Sequence, residues 1–93
     1  MSEKILRQRI VFRGWVQGVG FRYRAIQAAN QHGVTGWVKN NLDDSVTMEI
    51  QGTREQIYDV ITALKNARFI SVEHMDVTDL PVSENERGFR ARV

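Results

Sequence analysis

Ninety-three residues leave room for one domain with a modest core and too little chain for two. An apolar share of 42% and a charged share of 26% are ordinary for a globular chain and exclude a disordered one. The absence of cysteine excludes disulfides, thiolate metal sites and a thiol nucleophile, and a net charge of +2 is too small to argue for nucleic acid. With no long apolar run and no signal-like N-terminus, the expected setting is cytoplasmic and away from membranes.

Taken in order, the chain first offers a strand from Ile5 to Trp15. Arg7, Gln8 and Arg9 interrupt its apolar positions before Ile10-Val11-Phe12, as in a central strand buried at its C-terminal half. Arg7, Arg9 and Arg13 alternate, which reads as a solvated strand face. Phe21 to His32 follows as a helix, with Phe21, Ala25, Ala28 and Ala29 at helical spacing and Gly33 as its stop. Val34 to Asn40 reads as a second strand, and Asn41-Leu42-Asp43-Asp44-Ser45 supplies the chemistry of a hairpin turn.

Val46, Met48 and Ile50 then alternate with Thr47, Glu49 and Gln51, predicting a strand with one buried and one wet face, ended by Gly52. Thr53-Arg54-Glu55-Gln56 has the form of a capping box, opening a helix that carries Ile57, Val60, Ile61 and Leu64 on one side. A fourth strand is expected between Phe69 and Leu80, stopped by Pro81. Residues 82–87 form a polar loop, and Phe89 to Val93 a short terminal edge strand.

This order predicts an α+β fold, a ferredoxin-like βαββαβ sandwich. A mostly antiparallel sheet carries two helices on one face and a short C-terminal edge strand. No repeat or linker divides residues 1–93, so a single domain is expected. The first two strands, joined through a helix, run parallel and end at the same edge of the sheet. Arg22 and Asn40, 18 residues apart, are thereby brought to one place.

Chemistry collects in Gly14-Trp15-Val16-Gln17-Gly18-Val19-Gly20-Phe21-Arg22. A glycine-rich turn feeding a helix N-terminus presents unpaired N–H groups, and Arg22 adds a planar charged fork matching phosphate oxygens. Glycines spaced four and then two apart fit neither the dinucleotide fingerprint nor a Gly-Lys-Ser/Thr phosphate loop. On spacing alone, an anion cradle and an ordinary strand-to-helix turn with a solvated Arg22 both stand. Asn40 is likewise readable as a plain hairpin residue. His32 reads as a capping or dipole partner, and His74 lacks a second ligand at metal spacing. Trp37 fits either a packing role or the lining of a substrate pocket.

The complete string from Gly14 to Arg22 resembles the first signature of the acylphosphatases, enzymes that hydrolyse the carboxyl–phosphate bond. Gly36-Trp37-Val38-Lys39-Asn40, with Val46 and Gly52 at matching offsets, resembles their second. The resemblance implies a free-standing, metal-free and cofactor-free hydrolase of small acyl phosphates, acting as a monomer. Arg22 and the N–H groups of Gln17, Gly18, Val19, Gly20, Phe21 and Arg22 would hold the phosphoryl group. Asn40 would orient the attacking water. The chain departs from the family at Phe12, Trp15 and Asp44, where an aliphatic residue, arginine and glycine are usual. Two other readings are open. One is an acylphosphatase-like anion-binding domain without turnover, or one handling carbamoyl phosphate. The other is an RNA-binding sheet, which Thr47, Glu49 and Gln51 disfavour because they cannot stack on bases.

Overall fold

The computed structural model describes residues 3–93. Its elements are β1 (Ile5–Trp15), α1 (Phe21–His32), β2 (Thr35–Asn40), β3 (Val46–Thr53), α2 (Arg54–Lys65), β4 (Ser71–Leu80) and β5 (Phe89–Arg92). The strands form one sheet in the order β4-β1-β3-β2-β5. β1 is antiparallel to β3 and β4, β2 is antiparallel to β3, and β5 joins β2 in parallel. This is the ferredoxin-like α+β arrangement with an added edge strand. Because β3 lies between β1 and β2 and opposes both, their C-terminal ends share one end of the sheet.

Strand periodicity assigns the faces. Ile10 pairs with Met48 and Phe12 with Val46, and all four are fully buried. Ala25, Ala28 and Ala29 of α1 and Ile57, Val60 and Leu64 of α2 are buried in the same core. The small side chains of α1 bring its backbone close to the sheet. The Phe12 and Phe21 rings meet at 4.9 Å and 58°, a tilted contact adding about 0.5–1.5 kcal/mol beyond area burial. Phe12 precedes the glycine loop and Phe21 follows it, so this pair pins the loop's two ends.

The capping box forms as expected. Gln56 N donates to Thr53 Oγ1 at 3.1 Å, and Thr53 N donates to Gln56 Oε1 at 2.9 Å. Some boundaries shift for local reasons. β2 starts at Thr35 because the Val34 N–H is used to close α1, bonding Ala29 O at 3.1 Å. β3 runs on through Gly52, which stays paired with Leu6. β4 starts at Ser71 because Phe69 takes a left-handed turn, φ 73°, and Ile70 N bonds back to Ala67 O.

The face turned away from the helices departs from expectation. Arg7 is buried, only 7% exposed, and so is Glu49. Arg7 pairs with Glu49 at 2.9 Å and with Glu86 at 2.7 Å, while Arg9 reaches the other Glu49 oxygen at 2.9 Å. Gln51 exchanges two 2.8 Å hydrogen bonds with the Ser83 backbone. The loop before β5 is therefore strapped over the sheet, which removes water from part of the supposedly solvated face. Burial pushes the Glu49 carboxyl up, but hydrogen bonds from Arg9 and Arg7 outweigh it and hold Glu49 below its ordinary value. Glu86 is lowered in the same way, burial being overcome chiefly by Arg7. Hydrogen bonding to Glu86 raises Arg7 in turn.

Candidate active site

The glycine loop leaves β1 and ends in the first turn of α1. Gly18 and Gly20 adopt φ of 73° and 80°, values that a side chain would strain, and Gly20 is the N-cap without any side-chain cap. The first intrahelical bond, Arg24 N to Gly20 O at 3.0 Å, begins after the loop. Among the described residues, no N–H from 17 to 22 donates to a backbone carbonyl outside regular structure. Donors left open at a helix N-terminus, with alternate left-handed residues curving the backbone, make a concave anion seat.

Strand alternation brings Asn40 to the same place. Val38 is fully buried beneath the helices, and Asn40 follows two residues later on the same face, half-buried where β2 ends. Val16, Gly18, Gly20, Phe21, Arg22, Tyr23 and Asn40 line one cavity of about 220 Å³. Arg22 is exposed there and forms no ion pair among the described residues. A guanidinium beside open N–H donors supplies the donor set that an oxyanion can accept from.

Two members of the predicted set, Gln17 and Val19, do not line this cavity. Gly14 is outside the cradle: at the irregularity between Arg13 and Gly14, a Cβ would lie 2.3 Å from Ser71 O of β4. Gly14 thus permits close strand approach. The Gln17 side chain points to the hairpin, donating to Asn41 O at 2.7 Å and Ser45 O at 2.8 Å, so only its backbone is available to the cradle. Trp37 lies on the opposite face of the sheet, with the Arg92 guanidinium 4.5 Å above its ring, and does not line the cavity. The His32 ring faces Asp59 of α2 at 3.8 Å, and His74 pairs with Asp76 at 3.0 Å. Among the described residues, no cluster of three or more metal-ligating side chains occurs.

The hairpin residues were missed as a functional unit. Asn41 Nδ2 donates to Ser45 Oγ at 2.9 Å and Thr47 Oγ1 at 2.7 Å, while Asp43 accepts from the Ser45 backbone and hydroxyl. Arg13 closes the cluster at 3.0 Å from Asp43. Hydrogen bonds from Ser45, then from Arg13, lower the Asp43 carboxyl to about 2. The density of Asn, Asp and Ser from 41 to 45 signals such a self-bonded turn, but not that Gln17 reaches it. Asp44, at φ 73°, takes the left-handed position that glycine usually fills.

The fold is thus a ferredoxin-like sheet whose first loop carries open donors, with Asn40 and Arg22, unpaired among the described residues, lining one cavity there. The family model described as Acylphosphatase matches residues 8–91, and the chain belongs to that family of hydrolases acting on acid anhydrides. An acylphosphatase from Bifidobacterium longum is 40% identical over 93 residues, covering 98% of this chain and 96% of the relative. The crystal structure of acylphosphatase from Bacillus subtilis superposes with TM-score 0.87 at 34% identity, covering 95% and 99% of the two chains. HypF from T. kodakarensis also superposes, with TM-score 0.82 at 26% identity, but over 95% of this chain and 12% of that much longer one. Among the described residues, no helix is long and apolar enough to cross a membrane.

Proposed function

We propose that this chain hydrolyses small acyl phosphates to carboxylate and inorganic phosphate, with Arg22 and the N–H groups of Gln17 to Arg22 holding the phosphoryl group. Asn40 orients the attacking water. The observation that carries this reading is the convergence of Arg22, unpaired among the described residues, with Asn40 in one cavity at the uncapped start of α1. In the reaction the water oxygen bonds to phosphorus as the bond from phosphorus to the carboxylate oxygen breaks, and the water proton passes to a phosphoryl oxygen. The departing carboxylate has a conjugate acid of pKa about 4 and needs no general acid. Charge on the equatorial oxygens is met by the guanidinium and N–H donors, and positioning of the water supplies the rest. An amide side chain has no basic atom at neutral pH, which assigns Asn40 to orientation.

Action as a monomer and as one domain is part of this proposal. A cytoplasmic location belongs to the same proposal. Against the alternative of a binding domain without turnover, 40% identity to an acylphosphatase over 96% of that relative's length favours the enzyme.

The test is hydrolysis of benzoyl phosphate, with and without EDTA. Wild type is expected to turn over equally in both. Arg22→Lys is expected to lose at least about 100-fold in kcat/KM, because a point charge does not reproduce the bidentate fork. Near-normal turnover by Arg22→Lys refutes the phosphate clamp, and inhibition by EDTA refutes the metal-free reading.

A further inference from the structure

Seven residues line the proposed phosphate cavity, and their individual exposures divide the work among them. The Val16 and Phe21 side chains are buried in the core at 0% and 2% exposure. Gly18 and Gly20 contribute backbone alone, and no atom lies within 4 Å of the point where a Cβ would project from either. Approach to the backbone at these two positions is therefore open. Arg22 and Asn40 are committed to the phosphoryl group and the water. That leaves Tyr23, whose side chain is 68% exposed and borders the cavity immediately after Arg22.

We propose that Tyr23 forms the contact surface for the acyl group and favours acyl phosphates carrying an aromatic or other large apolar acyl group over acetyl phosphate. The inference rests on the phosphate seat described above. A phosphoryl group held by the loop N–H groups, with water arriving from the Asn40 side, directs its leaving group in line, away from that water. Among the lining side chains, Tyr23 alone offers that leaving group a large exposed apolar face. A tyrosine ring is an amphipathic wall, able to take an aromatic acyl group edge-to-face or offset while its hydroxyl stays in water. The methyl of an acetyl group has too little apolar area to gain comparably from the contact. Placement on the first turn of α1 fixes the ring's Cα relative to the seat, so the two contacts are held on one rigid element.

The test compares kcat/KM for benzoyl phosphate and acetyl phosphate in wild type, Tyr23→Ala and Tyr23→Phe. The benzoyl-to-acetyl ratio is expected to fall about three- to tenfold in Tyr23→Ala, chiefly through KM, and to be retained in Tyr23→Phe. An unchanged ratio in Tyr23→Ala overturns the inference. A second arm measures binding without turnover, as displacement by benzylphosphonate and methylphosphonate. The preference for the benzyl compound should shrink by the same factor in Tyr23→Ala, and an unshrunken preference overturns the inference. If wild type hydrolyses neither substrate, the hydrolase reading fails, and the phosphonate pair still decides the role of Tyr23. Tyr23 is exposed and alanine is the better helix former, so the variant's fold is not at risk.

Discussion

Residues 16–22 and residues 41–45 lie side by side at one end of the sheet, yet they treat their polar groups in opposite ways. The first loop carries backbone N–H groups without carbonyl partners, an uncapped helix start and an arginine without a counter-ion among the described residues. The second ties Asn41, Asp43, Ser45 and Thr47 to one another and accepts two further bonds from Gln17. Open donors invite a ligand, but each also forgoes a bond worth about 1 kcal/mol, so a loop built from them is poorly braced. The neighbouring hairpin supplies the bracing through the Gln17 amide. Open donors and bracing are thus held in separate loops, joined by one side chain.

That division is most sharply tested at two adjacent asparagines. Asn40→Ala is expected to lower turnover about 1,000-fold while phosphate affinity, measured by calorimetry, and denaturant midpoint stay close to wild type. Loss of phosphate binding in parallel would mean that Asn40 shapes the loop. Asn41→Ala should do the reverse, costing about 1 kcal/mol in denaturant unfolding because it removes bonds to the buried Ser45 and half-buried Thr47 hydroxyls. If both variants lose the same property, the distinction between the loops collapses.

A smaller effect is expected at the link itself. Gln17→Ala should lower kcat/KM about tenfold and lower the NMR order parameters of the loop amides, since the tether to Asn41 and Ser45 is gone. Unchanged order parameters would show that the tether braces nothing.

The smallest effect is electrostatic. Asp43 is lowered to about 2 from 3.8, so its contribution to the hairpin is complete above pH 3.8 and is lost as pH falls through about 2. Carboxyl NMR titration should find that midpoint, and Ser45→Ala should move it up toward the ordinary value. A midpoint already near 3.8 in wild type would remove the Ser45–Asp43 bond from this account.

Much of the fold was legible because it follows local periodicity. The limits of β1 and α1, the buried set Val46, Met48 and Ile50, and the Thr53–Gln56 capping box all lie within short windows. What escaped depends on partners far along the chain. Arg7 reads as a solvated cation until Glu86, 79 residues away, folds over it. The same applies within the site. Arg22 and Asn40 were legible because the topology of two parallel strands places them, and the structure lines one cavity with both. The aim of Gln17, the position of Gly14 against Ser71 and the Trp37–Arg92 stack on the other face are matters of side-chain direction, which periodicity does not encode.

The place of β1 in the sheet has a consequence for how the molecule is made. β1 lies between β3 and β4, and its register with them joins Ile5 to Thr53 and Arg7 to Leu80. Its neighbours are therefore synthesised long after it. During translation, the residues from Gly14 to Arg22 emerge early but lead out of a strand with nothing to pair with. Closing such long loops is slow, and until β3 and β4 have left the ribosome the strand leading into the loop lacks both neighbours or one of them. The loop from Gly14 to Arg22 precedes in the chain both strands that flank β1.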